Sequence, residues 1–143
     1  LDSGEVRRIL AGLHDLQCKE GDTIAAMLRN SPEYVALVLA CRQAGLYLAS
    51  INWHFKALEA NHILTDSGAR ALVVDADLLE QVREGIPAGV SVILVSRGAA
   101  PPSIASPGPQ AHHWANFGAG LPAMPPRAGA SHGAIAYTSG TTG

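Results

Sequence analysis

Residues 23–51 read TIAAMLRNSPEYVALVLACRQAGLYLASI. Two short apolar runs, Thr23–Leu28 and Leu46–Ile51, flank a segment with the marks of a helix. Asn30-Ser31-Pro32-Glu33 opens that helix. The Ser31 hydroxyl can accept from an orphan backbone N–H, and Pro32 at the first helical position loses nothing by lacking one. Glu33 in the first turn complements the helix dipole. The helix runs to Ala44, and Gly45 suits a left-handed terminal position. Its middle, Val35–Cys41, is apolar on nearly every side, so burial in a large core is expected. Runs this short, without polar alternation, predict strands covered on both faces, and a helix between them predicts a parallel pair.

The pattern repeats outward. Toward the N-terminus, Val6, Ile9, Leu10, Leu13 and Leu16 form a helical stripe that leaves Arg7, Arg8 and Asp15 outside, with Ser3 as a cap. Gly21-Asp22 makes a turn. Toward the C-terminus, a helix is expected over about Lys56–Thr65, with Ala60, Ile63 and Leu64 inward and Ser67-Gly68 at its end. Ala71–Val74 is a third strand bounded by Asp75. Leu78, Leu79 and Val82 mark a short helix, stopped by Gly85 and Pro87, and Val90–Val95 is a fourth strand. The fold class expected is α/β: an open, mainly parallel sheet with helices on both faces and right-handed crossovers.

Composition divides the chain. It has 143 residues with 10 basic and 12 acidic side chains, 15% charged and net −2, against about 25% charged in ordinary domains. An excess of positive charge for a nucleic-acid surface is missing, and 48% hydrophobic content opposes charge-driven disorder. Residues 98–133 hold one charged side chain, Arg127, and seven of the nine prolines. They show no periodicity and are expected to be a long loop. The organisation expected is therefore a partial α/β subdomain over 1–97, a Pro/Ala/Gly-rich loop over 98–133, and a strand with the start of a binding loop over 134–143. The chain begins at Leu1 and stops at Gly143 inside a glycine-rich run, which is expected of a piece of a longer protein. Leu1–Glu5 lacks the features of a signal peptide, and no apolar run nears the ~18 residues of a membrane span. Cys18 and Cys41 have no CxxC spacing, so packing roles and a reducing cytoplasm are expected rather than a zinc site or disulfide.

The chemistry sits in Tyr137-Thr138-Ser139-Gly140-Thr141-Thr142-Gly143, after the apolar strand Ala134–Thr138. Glycines let backbone approach a ligand, and successive N–H groups can form an anion-binding concavity. The hydroxyls of Thr138, Ser139, Thr141 and Thr142 add donors that can follow a polyphosphate. The run does not match the P-loop pattern. Composition alone fits a flexible Ser/Thr/Gly connector equally well. The preceding strand favours binding, because parallel sheets take ligands at their carboxyl edge.

YTSGTTG resembles the phosphate-loop signature of the adenylate-forming enzymes: acyl-CoA synthetases, luciferases and peptide-synthetase adenylation domains. Gly21-Asp22, Asn30-Ser31-Pro32-Glu33, Ala40, Gly45, Asn52, Glu59 and Asp66-Ser67-Gly68-Ala69 fit the same pattern, so the resemblance covers about Gly21–Val95 and Ala134–Gly143. Asn52-Trp53-His54-Phe55 is more similar to the acyl-CoA synthetase branch than to the peptide-synthetase branch. Ser50 departs from it, standing where many relatives have proline. The resemblance implies the first part of a large N-terminal domain and a two-step reaction. A carboxylate, fatty or aryl, and ATP give an acyl-adenylate and pyrophosphate; coenzyme A then displaces AMP. It implies ATP, Mg2+ and coenzyme A, with Thr138, Ser139, Gly140, Thr141, Thr142 and Gly143 on the β- and γ-phosphates. It implies no catalytic residue within this chain, which alone should not turn over. The competing expectations are a non-catalytic flavodoxin-like nucleotide-binding module and a pure interaction domain.

Other residues are expected to be plain. His112-His113-Trp114 lack a metal-ligand partner and are expected to be solvated loop residues. His54 is expected at the surface or at a helix cap. Asp75, Asp77, Glu80 and Glu84 are expected to form a solvated helix face, and Asp22 to stabilise its turn. Exposed edge strands and apolar helix faces would favour association of copies, a homodimer among them.

Overall fold

The computed structural model describes residues 3–96, 111–121 and 134–136. Helix α1 (Ser3–Asp15) precedes strand β1 (Thr23–Met27), helix α2 (Pro32–Ala44), β2 (Tyr47–Ser50), α3 (Ala57–Ser67) and β3 (Ala71–Asp75). A one-turn helix α4 (Leu79–Val82), between 3-10 turns Ala76–Leu78 and Arg83–Gly85, leads to β4 (Ser91–Val95), β5 (Ala111–His113) and β6 (Ala134–Ala136). The strands form a single sheet in the order β5-β4-β3-β1-β2-β6. Every neighbouring pair is parallel. This is the fold class expected from the alternation of short apolar runs with helices.

The local signals act as their chemistry requires. Ser31 caps α2, its Oγ accepting from the Tyr34 amide at 3.2 Å. Gly45 ends α2 with φ +75°, in the left-handed region. At α3 the Glu59 carboxylate accepts from the Lys56 amide at 2.9 Å, satisfying a donor at the helix start.

Strand side chains alternate between two cores. Ile24 and Ala26, Ala71 and Val73, and Ile93 and Val95 pack with α1 and α2. Ala25 and Met27, Leu72 and Val74, and Val92 and Leu94 pack with α3 and α4. Layers on both faces explain why β1 and β3 are buried at all five positions and carry no polar alternation.

Two expectations need correction. α2 is buried on one side only: Ala36, Leu37, Ala40 and Cys41 are inside, while Val35 is 45% exposed and Val38 and Leu39 are half-buried. The sheet and α1 cover one flank, and no described element covers the other. Nor is the stretch 98–133 loop throughout. β5 lies within it, paired with β4 in the register Val92↔Ala111 to Leu94↔His113. Trp114 and Phe117 follow it into the α1/α2 core. Three residues are too few to show a period, so the anchoring aromatics rather than a pattern hold this strand in place.

Candidate functional site

In an all-parallel sheet every strand ends on the same edge, and that edge is where such sheets bind ligands. β1 delivers Leu28, Arg29 and the capped start of α2 there. β2 delivers Ser50 and the turn Asn52–Phe55, and β3 delivers Asp75 and Asp77. β6 is the outer neighbour of β2, in the register Leu48↔Ala134, Ala49↔Ile135 and Ser50↔Ala136. The chain therefore leaves Ala136 toward this same edge. The run expected to bind phosphate, Thr138, Ser139, Gly140, Thr141, Thr142 and Gly143, lies outside the described residues.

The described edge is a connected polar network. The Asp75 carboxylate is buried, and its Oδ2 accepts from the Arg29 amide at 2.9 Å and from Arg29 Nη1 at 3.2 Å. Arg29 also grips both oxygens of Asp77, at 2.9 Å each. These bonds and the two negative charges raise the Arg29 pKa above its ordinary value, the Asp77 hydrogen bond first among causes, so Arg29 stays a cation. Its guanidinium carbon lies 5.5 Å from the centroid of the Trp53 ring, within cation–π range. Trp53 in turn stacks on His54, with centroids 3.8 Å apart. Gln81 Nε2 donates to the carbonyls of Trp53, at 2.9 Å, and Phe55, at 2.7 Å, tying this turn to α4. Asn52 Oδ1 accepts from the His54 amide at 2.8 Å. Tyr34 reaches from the first turn of α2 to the end of β2, its hydroxyl 3.0 Å from Ser50 Oγ.

This arrangement corrects two further expectations. Asp75 is not on a solvated helix face; it terminates β3 and is enclosed beneath Arg29, because an Asp that ends a buried strand can be kept inside by a guanidinium and an amide. Asp77, Glu80 and Glu84 are exposed as expected, Glu80 paired with Arg83. Trp114 is not a solvated loop residue either. It is 5% exposed, and its indole Nε1 donates to Glu5 Oε2 at 2.7 Å. His112 and His113 belong to β5 rather than to a loop, His112 half-buried with its ring centroid 5.4 Å from that of Phe117 and His113 exposed; His54 is exposed, as expected. Asp22 does hold its turn, its Oδ2 accepting from the Lys19 amide at 2.8 Å.

The carboxylates of this edge do not fit a resident metal ion, since Arg29 occupies both Asp75 and Asp77. Among the described residues no group of three or more His, Cys, Asp or Glu side chains could hold one. No helix among them is long and apolar enough to cross a membrane.

Residues 4–143 match the family described as AMP-binding enzyme. The chain belongs to that family. It is 35% identical over 95 residues to long-chain fatty acid transport protein 2 of Rattus norvegicus, a match covering 63% of this chain and 15% of that protein. It is 33% identical over 94 residues to a fatty acid–acyl-carrier-protein ligase of Streptomyces coeruleorubidus, covering 66% and 18%. It is 34% identical over 80 residues to a feruloyl-CoA synthase of an Amycolatopsis species, covering 56% and 16%. Among solved structures, an anthranilate CoA ligase in complex with anthranoyl-AMP superposes with a TM-score of 0.77 at 23% identity, over 99% of this chain and 27% of that one. A long-chain-fatty-acid CoA ligase from Rhodopseudomonas palustris gives 0.69 at 20% identity, over 92% and 32%. At these identities the structural likeness is one of fold. This AMP-binding enzyme chain spans less than a third of the length of these relatives. Its sheet matches the N-terminal domain of adenylate-forming enzymes.

Proposed function

We propose that this chain is the first part of the large domain of an ATP-dependent acyl-CoA synthetase. In this reading a carboxylate oxygen of a fatty or aryl acid attacks the ATP α-phosphorus and expels pyrophosphate. The coenzyme A thiol then attacks the acyl carbon and AMP leaves. The contribution of this chain is electrostatic: the backbone N–H groups and hydroxyls of Thr138–Gly143 hold the β- and γ-phosphates where charge builds up. Mg2+ would accompany ATP and offset its phosphate charge. The acyl pocket and the groups that act on the α-phosphate belong to residues outside this chain, so the 143 residues alone are inactive.

The observation that supports this reading most is the parallel pairing of β6 with β2. It directs a strand followed by YTSGTTG toward the carboxyl edge, within a family whose description names AMP. Fatty and aromatic acid ligases among the relatives support the substrate class. Carboxylate-dependent exchange of labelled pyrophosphate into ATP tests the reading. A protein that continues beyond Gly143 is expected to exchange with a fatty or aryl acid, and the 143-residue chain is not. Exchange by the short chain overturns the second part. ATP binding without any carboxylate-dependent exchange in the longer protein favours a non-catalytic nucleotide-binding module.

A further inference from the structure

Helix α1 is held to the fold by its inner stripe and by residues 111–117. Val6, Ile9, Leu10 and Leu13 share one apolar core with Trp114 and Phe117. Glu5 accepts from the Trp114 indole, and Arg8 donates to the carbonyls of Trp114 and Phe117. Each piece is weak without the other. Helix α1 has 13 residues, and an isolated helix of that length is marginal in water, so α1 unwinds once it leaves the core. β5 has three residues and pairs with β4 alone among the described strands. The second core, on the opposite face of the sheet, contains no residue of α1 or of 111–117. β1 and β3 are paired on both sides and buried along their whole length. The chain leaves α1 through Gln17, whose side chain is exposed and whose φ of +65° lies in the left-handed region that favours glycine. That strain is released when α1 unwinds.

We propose that α1 and residues 111–117 form one strap, which opens and closes as a unit while β1–β4 and α2–α4 stay folded. The bonds from Glu5 and Arg8 make the two pieces lose their partners together, and Gln17 is the hinge. Opening leaves β4 as the sheet edge and uncovers the face that carries Val73, Ile93 and Val95. The strap does not depend on the reading under Proposed function.

Amide hydrogen exchange on the 143-residue chain in low urea tests the strap. The amides of residues 9–15 in α1 and those of Trp114 and Phe117 are expected to share one opening free energy and one urea slope, both smaller than those of β1 and β3. Two substitutions at exposed positions on the α1 side separate a shared opening from two independent ones. Arg7→Gly weakens the helix itself and should quicken exchange about fivefold. Gln17→Gly relieves the hinge and should slow exchange about threefold, part of the gain being offset by the freedom of glycine in the open chain. In both variants the Trp114 and Phe117 amides are expected to move with those of α1, by the same factor. A response in α1 alone, or in neither piece, overturns the proposal. So does a parent chain whose strap amides share the opening free energy and urea slope of β1 and β3.

Discussion

Trp114 Nε1 donates to Glu5 Oε2 at 2.7 Å, joining residues 109 positions apart. Arg8, one turn along α1 from Glu5, completes the clasp: its Nη1 donates to the Phe117 carbonyl at 2.8 Å and also to that of Trp114. The Phe117 ring lies against Gly12 so closely that a Cβ there would come within 2.5 Å of it. Helix α1 thus clasps the segment that follows β5, adding to the β4 ladder that holds β5 at the sheet edge.

Truncating Trp114 to Ala should cost about 3–5 kcal/mol, the range for deleting a large buried aromatic. Trp114→Phe keeps most of the burial and loses the bond to Glu5, and should cost about 1–2 kcal/mol. Gly118 has φ +81°, and a Cβ there would sit 1.9 Å from the Arg8 carbonyl oxygen. Gly118→Ala should therefore cost more than about 2 kcal/mol through strain and lost docking. Urea unfolding followed by far-UV circular dichroism measures all three, because two of the variants lack the Trp114 fluorophore. A Gly118→Ala variant as stable as the parent would contradict the clasp.

The two carboxylates on Arg29 should behave differently. Asp75 is fully buried and satisfies a backbone amide as well as the guanidinium. Asp75→Ala takes the acceptor from the Arg29 amide and leaves the guanidinium on Asp77 alone, and should cost about 3 kcal/mol, near the lower end for breaking a buried pair because Arg29 itself reaches solvent. Asp77 is solvent-exposed despite its bidentate geometry, so Asp77→Ala should cost less than about 1 kcal/mol. The Asp77 effect should shrink in 1 M salt while the Asp75 effect persists. Equal costs for the two variants would refute this division.

Where sequence and structure agree, the reason is local chemistry. Ser31, Pro32 and Gly45 mark the ends of α2 because capping is decided within one turn. β1 and β3 are readable because burial on both faces leaves polar side chains only at their ends, Thr23 and Asp75. Where they part, the cause lies far along the chain. β5 has three residues and depends on Glu5 and Arg8, more than 100 positions away. Asp75 looks like the start of a polar helix face until Arg29, 46 positions earlier, is laid over it. The same holds for the candidate edge. A run of hydroxyls and glycines is visible in one line of sequence, whereas the Tyr34–Ser50 contact appears only once α2 is packed over β2.

The thiols supply a pH-dependent prediction. Cys18 and Cys41 are free and buried, as packing residues should be. Burial pushes the Cys18 pKa from 9.0 up to about 11, with Arg70 opposing and Asp22 adding to the shift. Cys41 is raised too, chiefly by desolvation. For an acid that is neutral when protonated, a raised folded pKa means the folded state holds its proton more tightly than the unfolded chain. Well below pH 9 both states are protonated and the thiols add no pH dependence. Between pH 9 and 11 the unfolded chain ionises first, so stability falls as pH rises, by up to about 1.4 kcal/mol per pH unit for each thiol. The informative quantity is the difference between the parent and each of the Cys18→Ala and Cys41→Ala variants, since all but one thiol is common to both. Each variant should show a shallower alkaline loss than the parent in unfolding curves taken from pH 8.5 to 11. The native thiols should also resist a disulfide reagent at pH 8 and react fully in denaturant. Parallel pH profiles for parent and variants, or rapid labelling of the native chain, would show that these thiols ionise as exposed ones do.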